Sequence, residues 1–136
     1  MKVVAYSVKP FEREPLAKAN QKKHDITLIF NSLSLETAVF AAGKQAVMVS
    51  ATDDLSAAVI DKLAELGVKY ITARSGSTRH IDRAAAARNG IKLADVPEQL
   101  DIAEQSIKNL DVWEVNRCTG KACICTPRCA KFYGLG

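Results

Sequence analysis

Two short segments of this 136-residue chain carry side chains whose types and spacing could do chemistry. The first runs from Arg74 to His80 and holds two arginines, three hydroxyl side chains and a histidine. The second contains all four cysteines of the chain, which are Cys118, Cys123, Cys125 and Cys129. The first segment indicates an anion site, and the second indicates a thiol-based site.

The anion site is expected in the loop between a predicted strand and a predicted helix. Backbone N–H groups at a helix start, with guanidinium groups nearby, suit a carboxylate or a phosphate. The predicted binding residues are Ser75, Gly76, Ser77 and Thr78. In the simpler alternative, Ser77 or Thr78 only caps the helix and Asp82 pairs with Arg79.

The two histidines are the candidates for a general acid or base, and neither is expected to have that role. His80 starts a predicted helix, and no carboxylate is obviously aimed at it, because Asp82 is two positions on and would face away. His24 lies in the turn before the second predicted strand, at the opposite end of the sheet, and is expected on the surface.

The four cysteines lie within twelve residues, in the pattern C-x4-C-x-C-x3-C. Four thiolates this close match a tetrahedral zinc ion or an iron-sulfur centre, and the nearby cationic side chains would offset the negative charge of the cluster. Two alternatives remain open. One is disulfide pairing, which an intracellular chain disfavours, and the other is a flexible tail of reduced thiols.

Composition and charge divide the chain into a body, residues 1–116, and a basic tail, residues 117–136. With 48% hydrophobic and 25% charged residues, the chain has the composition of one compact domain. The tail holds four of the 19 basic residues and none of the 15 acidic ones, so the body carries 15 of each. This balance argues against nucleic-acid binding. Without a membrane-length apolar run or a signal peptide, the protein is expected to be soluble and cytoplasmic.

Short apolar runs alternate with helical patterns along the body. Strands are predicted at residues 2–8, 26–30, 45–50, 68–73 and 91–96. Helices are predicted at residues 11–23, 35–42, from a cap at Asp53 or Asp54 to Gly67, and at residues 80–88 and 98–115. Pro15 fits only the first turn of its helix. The inward side chains are expected to be Phe11, Leu16 and Ala19 on the first helix and Leu100, Ala103, Ile107, Leu110 and Trp113 on the last.

This order predicts a three-layer α/β sandwich with a five-stranded parallel sheet in the flavodoxin-like order 2-1-3-4-5, followed by a long C-terminal helix and a Cys-rich tail. A ligand would lie outside the carboxyl ends of the strands, near the switch between strands 1 and 3. Those ends contribute residues 7–11, 50–54 and 74–79.

Two nucleotide-binding signatures and one hydrolase motif are absent from the sequence. No G-x-G-x-x-G turn joins a strand to a helix, and neither a P-loop nor a nucleophile elbow occurs. We therefore expect no NAD on the isolated chain.

Four segments together resemble the D-2-hydroxyacid dehydrogenases, most closely the D-lactate dehydrogenase branch. They are residues 2–13 (KVVAYSVKPFER), 53–57 (DDLSA), 66–71 (LGVKYI) and 74–82 (RSGSTRHID). The resemblance covers about residues 1–97 and implies the flavodoxin-like substrate-binding domain, into which the family inserts a Rossmann coenzyme domain. Residues 104–113 are similar to the family's return helix. The resemblance thus implies a substrate-binding domain that closes directly on itself, without the coenzyme domain.

The resemblance also implies roles for particular residues. Ser75, Gly76 and Ser77 match the loop whose backbone holds the substrate carboxylate, although the family usually has glycine where Ser77 stands. Phe11 matches an aromatic residue that lines the family's cleft. The family's catalytic arginine, glutamate and histidine belong to the coenzyme domain, so no catalytic residue is assigned here.

Three functional hypotheses follow. The first is a stand-alone substrate-binding domain that binds a small carboxylate and lacks autonomous NAD-dependent activity. The second is a metal or redox module that uses the cysteine tail, and the third is one subunit of a split dehydrogenase. A homodimer through the surface that would face the coenzyme domain is also expected, with neither nucleic acid nor membrane as a partner.

Overall fold

The computed structural model describes residues 1–74, 78–96 and 101–125 of the chain. Its centre is a five-stranded parallel sheet with the order β2-β1-β3-β4-β5, which confirms the predicted topology. The strands are β1 (Lys2–Ala5), β2 (Asp25–Leu28), β3 (Ala46–Val49), β4 (Tyr70–Ala73) and β5 (Lys92–Ala94).

Four α-helices connect and cover the strands. They are α1 (Pro10–Asn20), α2 (Ala57–Glu65), α3 (Arg83–Arg88) and α4 (Ile102–Glu114). Two 3-10 helices, Thr37–Ala41 and Gly120–Ala122, complete the regular elements of the described residues.

Alternate side chains of the strands divide the core into two apolar layers. Val4 points to one layer, with the apolar residues of α2, α3 and the first 3-10 helix. Val3 and Ala5 point to the other, with α1 and α4. Because side chains of a strand alternate between faces, β1 supplies both layers, and its residues Val3, Val4 and Ala5 are completely buried. The three-layer α/β arrangement is therefore confirmed.

Helix α4 is fastened to the sheet by one buried amide and one aromatic stack. Asn109 Nδ2 donates hydrogen bonds to Thr72 Oγ1 and to the carbonyl of Asp95, both at 3.1 Å. The ring of Trp113 stacks on that of Tyr70, with 4.9 Å between the centroids. The predicted inward positions Ala103, Ile107, Leu110 and Trp113 are all buried, and Leu100 lies outside the described residues.

Several local predictions were wrong. Pro15 lies inside α1 instead of in its first turn, since Pro10 takes the first helical position, where its missing N–H is harmless. Phe11 is 74% exposed rather than inward, while Leu16 is buried as expected. The helix predicted at residues 35–42 is the short 3-10 helix Thr37–Ala41, because hydrogen bonds between Ser34 and Thr37 tighten its start.

The first residues of the tail lie against the outer edge of β5. Ile124 donates its backbone N–H to the carbonyl of Leu93 at 3.1 Å, and Leu93 donates its own N–H to Cys125 Sγ at 3.0 Å. Asp95 likewise donates to the carbonyl of Ala122 at 2.9 Å. An unpaired sheet edge invites association with other chains, so this segment protects the edge of β5.

Replacing Cys125 by alanine should therefore expose the Leu93 amide. We expect faster hydrogen exchange at Leu93 and a loss of about 1 kcal/mol in the free energy of unfolding, because one backbone donor loses its acceptor. The exchange is measured by NMR, with Cys118→Ala as the matched control. Unchanged Leu93 exchange in Cys125→Ala would show that the thiol does not hold the edge.

Within the described residues, no helix combines the length and apolar character that crossing a membrane requires.

Candidate functional site

The carboxyl ends of β1 and β3 meet at the buried side chain of Asp53. Asp53 Oδ1 accepts hydrogen bonds from the Ser7 hydroxyl at 2.5 Å and from the Leu33 backbone N–H at 2.8 Å, and Oδ2 accepts from the Ser50 N–H at 2.7 Å. The residue is only 3% exposed. One carboxylate thus holds together three loops at the predicted crevice.

Asp53 was expected as a helix cap, and this prediction was wrong. The residue at the N-terminal cap of α2 is Ser56, three positions further on. The adjacent Asp54 is exposed and accepts one hydrogen bond, from the Ser56 N–H. The sequence did place Asp53 directly after a strand, in the predicted crevice. That position could have indicated that its carboxylate binds the neighbouring loops.

Ser7, directly after β1, adopts a left-handed backbone conformation with φ of 56°. This region is unfavourable for a residue with a side chain, and strain of this kind is found where the surrounding structure imposes it. The bond from Ser7 to Asp53 is part of that constraint. The carbonyl of Ser7 accepts a hydrogen bond from Arg74.

Arg74, directly after β4, is a buried cation at the same edge of the sheet. It is 3% exposed. Its Nε donates to Glu12 Oε2 at 3.0 Å, and its Nη2 donates to the carbonyl of Ser7 at 3.2 Å. Its Nη1 is also buried but has no hydrogen-bond partner within the part of the chain that is described. The guanidinium group is therefore fixed at two positions and has unused donor capacity at the third.

Arg74 and His80 each contact the backbone at the carboxyl end of β3. The backbone N–H of Arg74 donates to the carbonyl of Val49 at 2.8 Å. His80 Nε2 lies 3.0 Å from the carbonyl of the next residue, Ser50. His80 Nδ1 is buried and, like Arg74 Nη1, has no partner within the described ranges.

The expectation that His80 starts a helix was wrong. Helix α3 begins at Arg83, and Asp82 is its N-cap, with Oδ1 accepting from the Ala85 N–H at 3.0 Å. The alternative pairing of Asp82 with Arg79 is also wrong, because the Asp82 carboxylate faces the helix and Arg79 is exposed. His80 instead belongs to a turn that leads into the helix.

The predicted carboxylate loop is only partly described. Ser75, Gly76 and Ser77 lie outside the described residues. Thr78 Oγ1 accepts a hydrogen bond from Arg83 Nη2 at 3.2 Å. Phe11 lies next to Glu12, the partner of Arg74, and borders an open groove with Asp101, Ile102 and Ala103. The assignment of these residues to substrate binding stays a prediction.

Two further side chains near this edge of the sheet, Tyr6 and Asp95, have shifted pKa values. Burial, together with the negative charge of Asp53, raises the pKa of Tyr6 to about 12, and the phenol donates to the carbonyl of Thr37 at 2.8 Å. Burial raises the pKa of Asp95, while the positive charge of Arg83 acts in the opposite direction. At neutral pH the phenol of Tyr6 is therefore a permanent hydrogen-bond donor.

At the opposite end of the sheet, His24 is buried and not on the surface as expected. Its side chain is 2% exposed, because α4 covers it with two carboxylates. His24 Nε2 lies 2.8 Å from Asp111 Oδ1, and Nδ1 lies 3.1 Å from Glu114 Oε2, although the second approach is not aligned for a hydrogen bond. Lys23 Nζ also donates to Asp111 Oδ2 at 2.9 Å.

The pKa of Asp111 predicts a pH dependence for the docking of α4. Burial opposes ionisation of Asp111, but hydrogen bonds from Lys23 and His24 outweigh burial and lower the pKa below its ordinary 3.8. A carboxylate with a lowered pKa stabilises the fold above its unfolded-state pKa, and the contribution disappears as the pH falls through the folded-state value.

We therefore expect Asp111→Asn to destabilise the protein at pH 5–7 by at most about 1 kcal/mol, given solvent screening, and to have no effect once Asp111 is protonated. Denaturant unfolding of both proteins across this range measures the difference. A difference that grows as the pH falls toward 3.8 would contradict the argument.

The described cysteines lie in and around the second 3-10 helix. Cys118 Sγ accepts a hydrogen bond from the Gly120 N–H at 3.4 Å, and Cys123 forms a β-bridge with Ala94. Within residues 1–74, 78–96 and 101–125, no three metal-ligating side chains come together in a group that could hold an ion. Cys129 lies outside these ranges, so a centre built from all four thiols stays a prediction.

The sequence of this chain is similar to part of several known dehydrogenases. Its residues 3–106 match the family model described as "D-isomer specific 2-hydroxyacid dehydrogenase, catalytic domain". Over 98 residues the chain is 36% identical to 2-hydroxyacid dehydrogenase homolog 1 of Schizosaccharomyces pombe and 35% identical to D-lactate dehydrogenase of Escherichia coli. Each alignment covers 71% of this chain and 30% of the relative. The match to D-lactate dehydrogenase kk1H of Curvularia clavata, 34% identical over 127 residues, covers 90% of this chain and 36% of the relative.

The fold of the chain is also similar to that of solved dehydrogenase structures. The apo-structure of D-lactate dehydrogenase from Escherichia coli superposes with a TM-score of 0.70 at 33% identity, covering 71% of this chain and 31% of that one. The structure of D-2-hydroxyisocaproate dehydrogenase superposes with a TM-score of 0.67 at 25% identity, covering 86% of this chain and 36% of that one. The chain thus spans about a third of the length of these relatives, and it belongs to the D-isomer specific 2-hydroxyacid dehydrogenase family, whose catalytic domain it matches.

Proposed function

We propose that this chain binds a small 2-oxo or 2-hydroxy carboxylate in the crevice at the carboxyl ends of β1, β3 and β4. The observation that carries the proposal is the buried guanidinium of Arg74, whose Nη1 lacks a partner among the described residues. A carboxylate that reaches Nη1 would form a charge-assisted hydrogen bond, which is stronger than a neutral one. The names of the relatives, which include a D-lactate dehydrogenase and an aromatic 2-oxoacid reductase, supply the ligand class.

The surroundings of Arg74 suit this role. Its Nε and Nη2 are held by Glu12 and by the carbonyl of Ser7, so binding a ligand needs little reorientation of the guanidinium group. Glu12 pairs with Arg74 through Nε, so the donors on Nη1 stay unused. Nη1 is shielded from solvent in this conformation, so a ligand must displace a neighbouring group to reach it.

The proposal includes no autonomous turnover by residues 1–136. Hydride transfer requires a nicotinamide cofactor, a base and an electrophilic group held jointly against the substrate. The sequence lacks the dinucleotide-binding fingerprint. We therefore expect the purified polypeptide to bind the carboxylate without oxidising NADH in the presence of pyruvate.

The test is a ligand-observed NMR titration with pyruvate and D-lactate. Arg74→Lys keeps the positive charge but loses the planar fork, and we expect it to weaken binding of both ligands about tenfold or more. The control is Arg79→Lys, which changes an exposed arginine five residues away and should leave binding within about twofold.

A second experiment uses only the wild-type protein, so it does not depend on whether a variant folds. Lactamide has the shape of lactate without its negative charge, so it should not compete with D-lactate for the wild-type protein. Competition by lactamide, or full affinity in folded Arg74→Lys, would contradict the proposal. NADH oxidation by the isolated polypeptide would contradict its second part.

A further inference from the structure

A groove between helices α1 and α4 is lined by four exposed charged side chains in a repeated arrangement. Glu14 precedes Lys18 by four residues on α1, and Glu104 precedes Lys108 by four residues on α4. None of these four side chains forms an ion pair within residues 1–74, 78–96 and 101–125. The groove therefore presents two unpaired carboxylates and two unpaired ammonium groups.

The two helices run in the same direction, so equal charges lie at the same end of the groove. Phe11 and Ile102, each near the start of its helix, border one part of the groove. At the other end, Lys23 follows α1 and its Nζ lies 2.9 Å from Asp111 Oδ2, near the end of α4. Both unpaired glutamates thus lie toward the helix starts, and both unpaired lysines lie about one helical turn further along.

The floor of the groove is apolar, and its acidic end carries two exposed apolar side chains. The floor consists of Pro15, Ala19, Ala103 and Ile107. Phe11 is 74% exposed and Ile102 is 49% exposed. A small-molecule pocket is mostly apolar with a few converging polar groups. An apolar floor between rows of charges of both signs is instead typical of a surface that binds another protein.

We propose that this groove is the interface between two copies of the chain. Across a two-fold axis that lies in the interface, perpendicular to the helices, the helices of the two copies run antiparallel. The acidic end of each copy then faces the basic end of the other, so one charge pattern complements itself. The alkyl stems of the lysines of one copy cover Phe11 and Ile102 of the other. The inference is independent of the proposed function.

The size of the groove predicts a weak dimer. The longer helix, α4, has 13 residues and is therefore about 20 Å long. Two such helices side by side offer on the order of 500 Å² per copy, which is below the roughly 800 Å² of a standard interface. We therefore expect a dissociation constant of about 10–100 μM, which rises with salt because exposed charges are screened.

The test is sedimentation equilibrium of the full chain at concentrations up to about 500 μM, with a reductant present so that no disulfide can join two copies. The wild type should reach twice the mass of one chain, and the dimer should weaken as sodium chloride is raised. One variant, Lys18→Glu with Lys108→Glu, makes both ends acidic. A second, Glu14→Lys with Glu104→Lys, makes both ends basic. Each variant alone should dimerise about tenfold more weakly or worse, whereas an equimolar mixture should form heterodimers.

The matched control reverses two charges on the helices that cover the opposite face of the sheet. Lys62→Glu with Arg88→Glu changes the net charge as much as the acidic variant does and breaks only exposed ion pairs, so it should dimerise within about twofold of the wild type. Circular dichroism shows that each variant is folded.

Three results would overturn the inference. A wild type that remains monomeric at about 500 μM would mean that the groove is not an interface between copies, and that another partner or another segment of the chain covers it. Wild-type dimerisation of the acidic or the basic variant would place the interface elsewhere. A mixture of the two folded variants that forms no heterodimer would show that the opposite charges do not face each other.

Discussion

Replacing Asp53 by alanine is expected to lower the free energy of unfolding by about 3–5 kcal/mol, because it leaves three donors without their acceptor in a buried site. These donors are the hydroxyl of Ser7 and the backbone N–H groups of Leu33 and Ser50. Asp53→Asn should also be strongly destabilising, because the amide nitrogen would face one of the same donors. Urea denaturation followed by circular dichroism measures both losses.

The matched control is Asp54→Ala. Asp54 is the next residue, but it is exposed, and its carboxylate accepts a single hydrogen bond among the described residues, from Ser56, so its loss should cost less than about 1 kcal/mol. Equal effects of the two substitutions would show that Asp53 does not organise the crevice. The expected large difference would identify Asp53 as the residue that holds Ser7 and Ser50 in place.

Replacing Trp113 by alanine is the second change with a large expected effect. Trp113 is 2% exposed and stacks on Tyr70, so truncation removes a buried aromatic group and leaves a cavity between α4 and the sheet. Large-to-small core substitutions of this kind cost about 3–5 kcal/mol. Circular dichroism is again the measurement, because Trp113 is the single tryptophan and fluorescence is lost with it.

Two controls accompany Trp113→Ala. Val115 lies two residues further on and is 63% exposed, so Val115→Ala should change stability by less than about 0.5 kcal/mol. Trp113→Phe keeps an aromatic ring against Tyr70 and should retain most of the stability. A loss below 1 kcal/mol in Trp113→Ala would mean that α4 is not an integral part of the core.

The fold was predictable because its signals are local and repeated. The apolar runs around Val4, Val47 and Ile71 have the length of buried strands, and the segments between them have helical periodicity. Five such strands joined by helices permit few topologies, since crossovers between parallel strands are right-handed. The inward face of α4, ending at Trp113, followed from the same periodicity.

The errors arose where long-range contacts outweigh local preference. Nothing in the sequence near His24 indicates that Asp111 and Glu114 of α4 will cover it. Asp53 has the chemistry of a helix cap, but the N–H groups of Leu33 and Ser50 bind its carboxylate instead. The short helix after Ser34 is also decided by side-chain hydrogen bonds that compete with a regular helix.

The site was predictable as a region and not as a set of contacts. Polar residues after β1, β3 and β4 indicated a crevice at that edge of the sheet, and Arg74 lies in it. The pairing of Arg74 with Glu12, and the contact of His80 with Ser50, join residues 62 and 30 positions apart. Such pairings depend on the assembled fold, so no local sequence pattern predicts them.

Carboxylate binding in the crevice is tested most directly by a protein-observed NMR titration of the purified chain with D-lactate. We expect saturable chemical-shift changes confined to the crevice, at the amides of Ser7, Ser50 and Arg74, in the absence of NAD. Shifts located instead between α1 and α4 or in the cysteine tail, or no shifts at all, would contradict it.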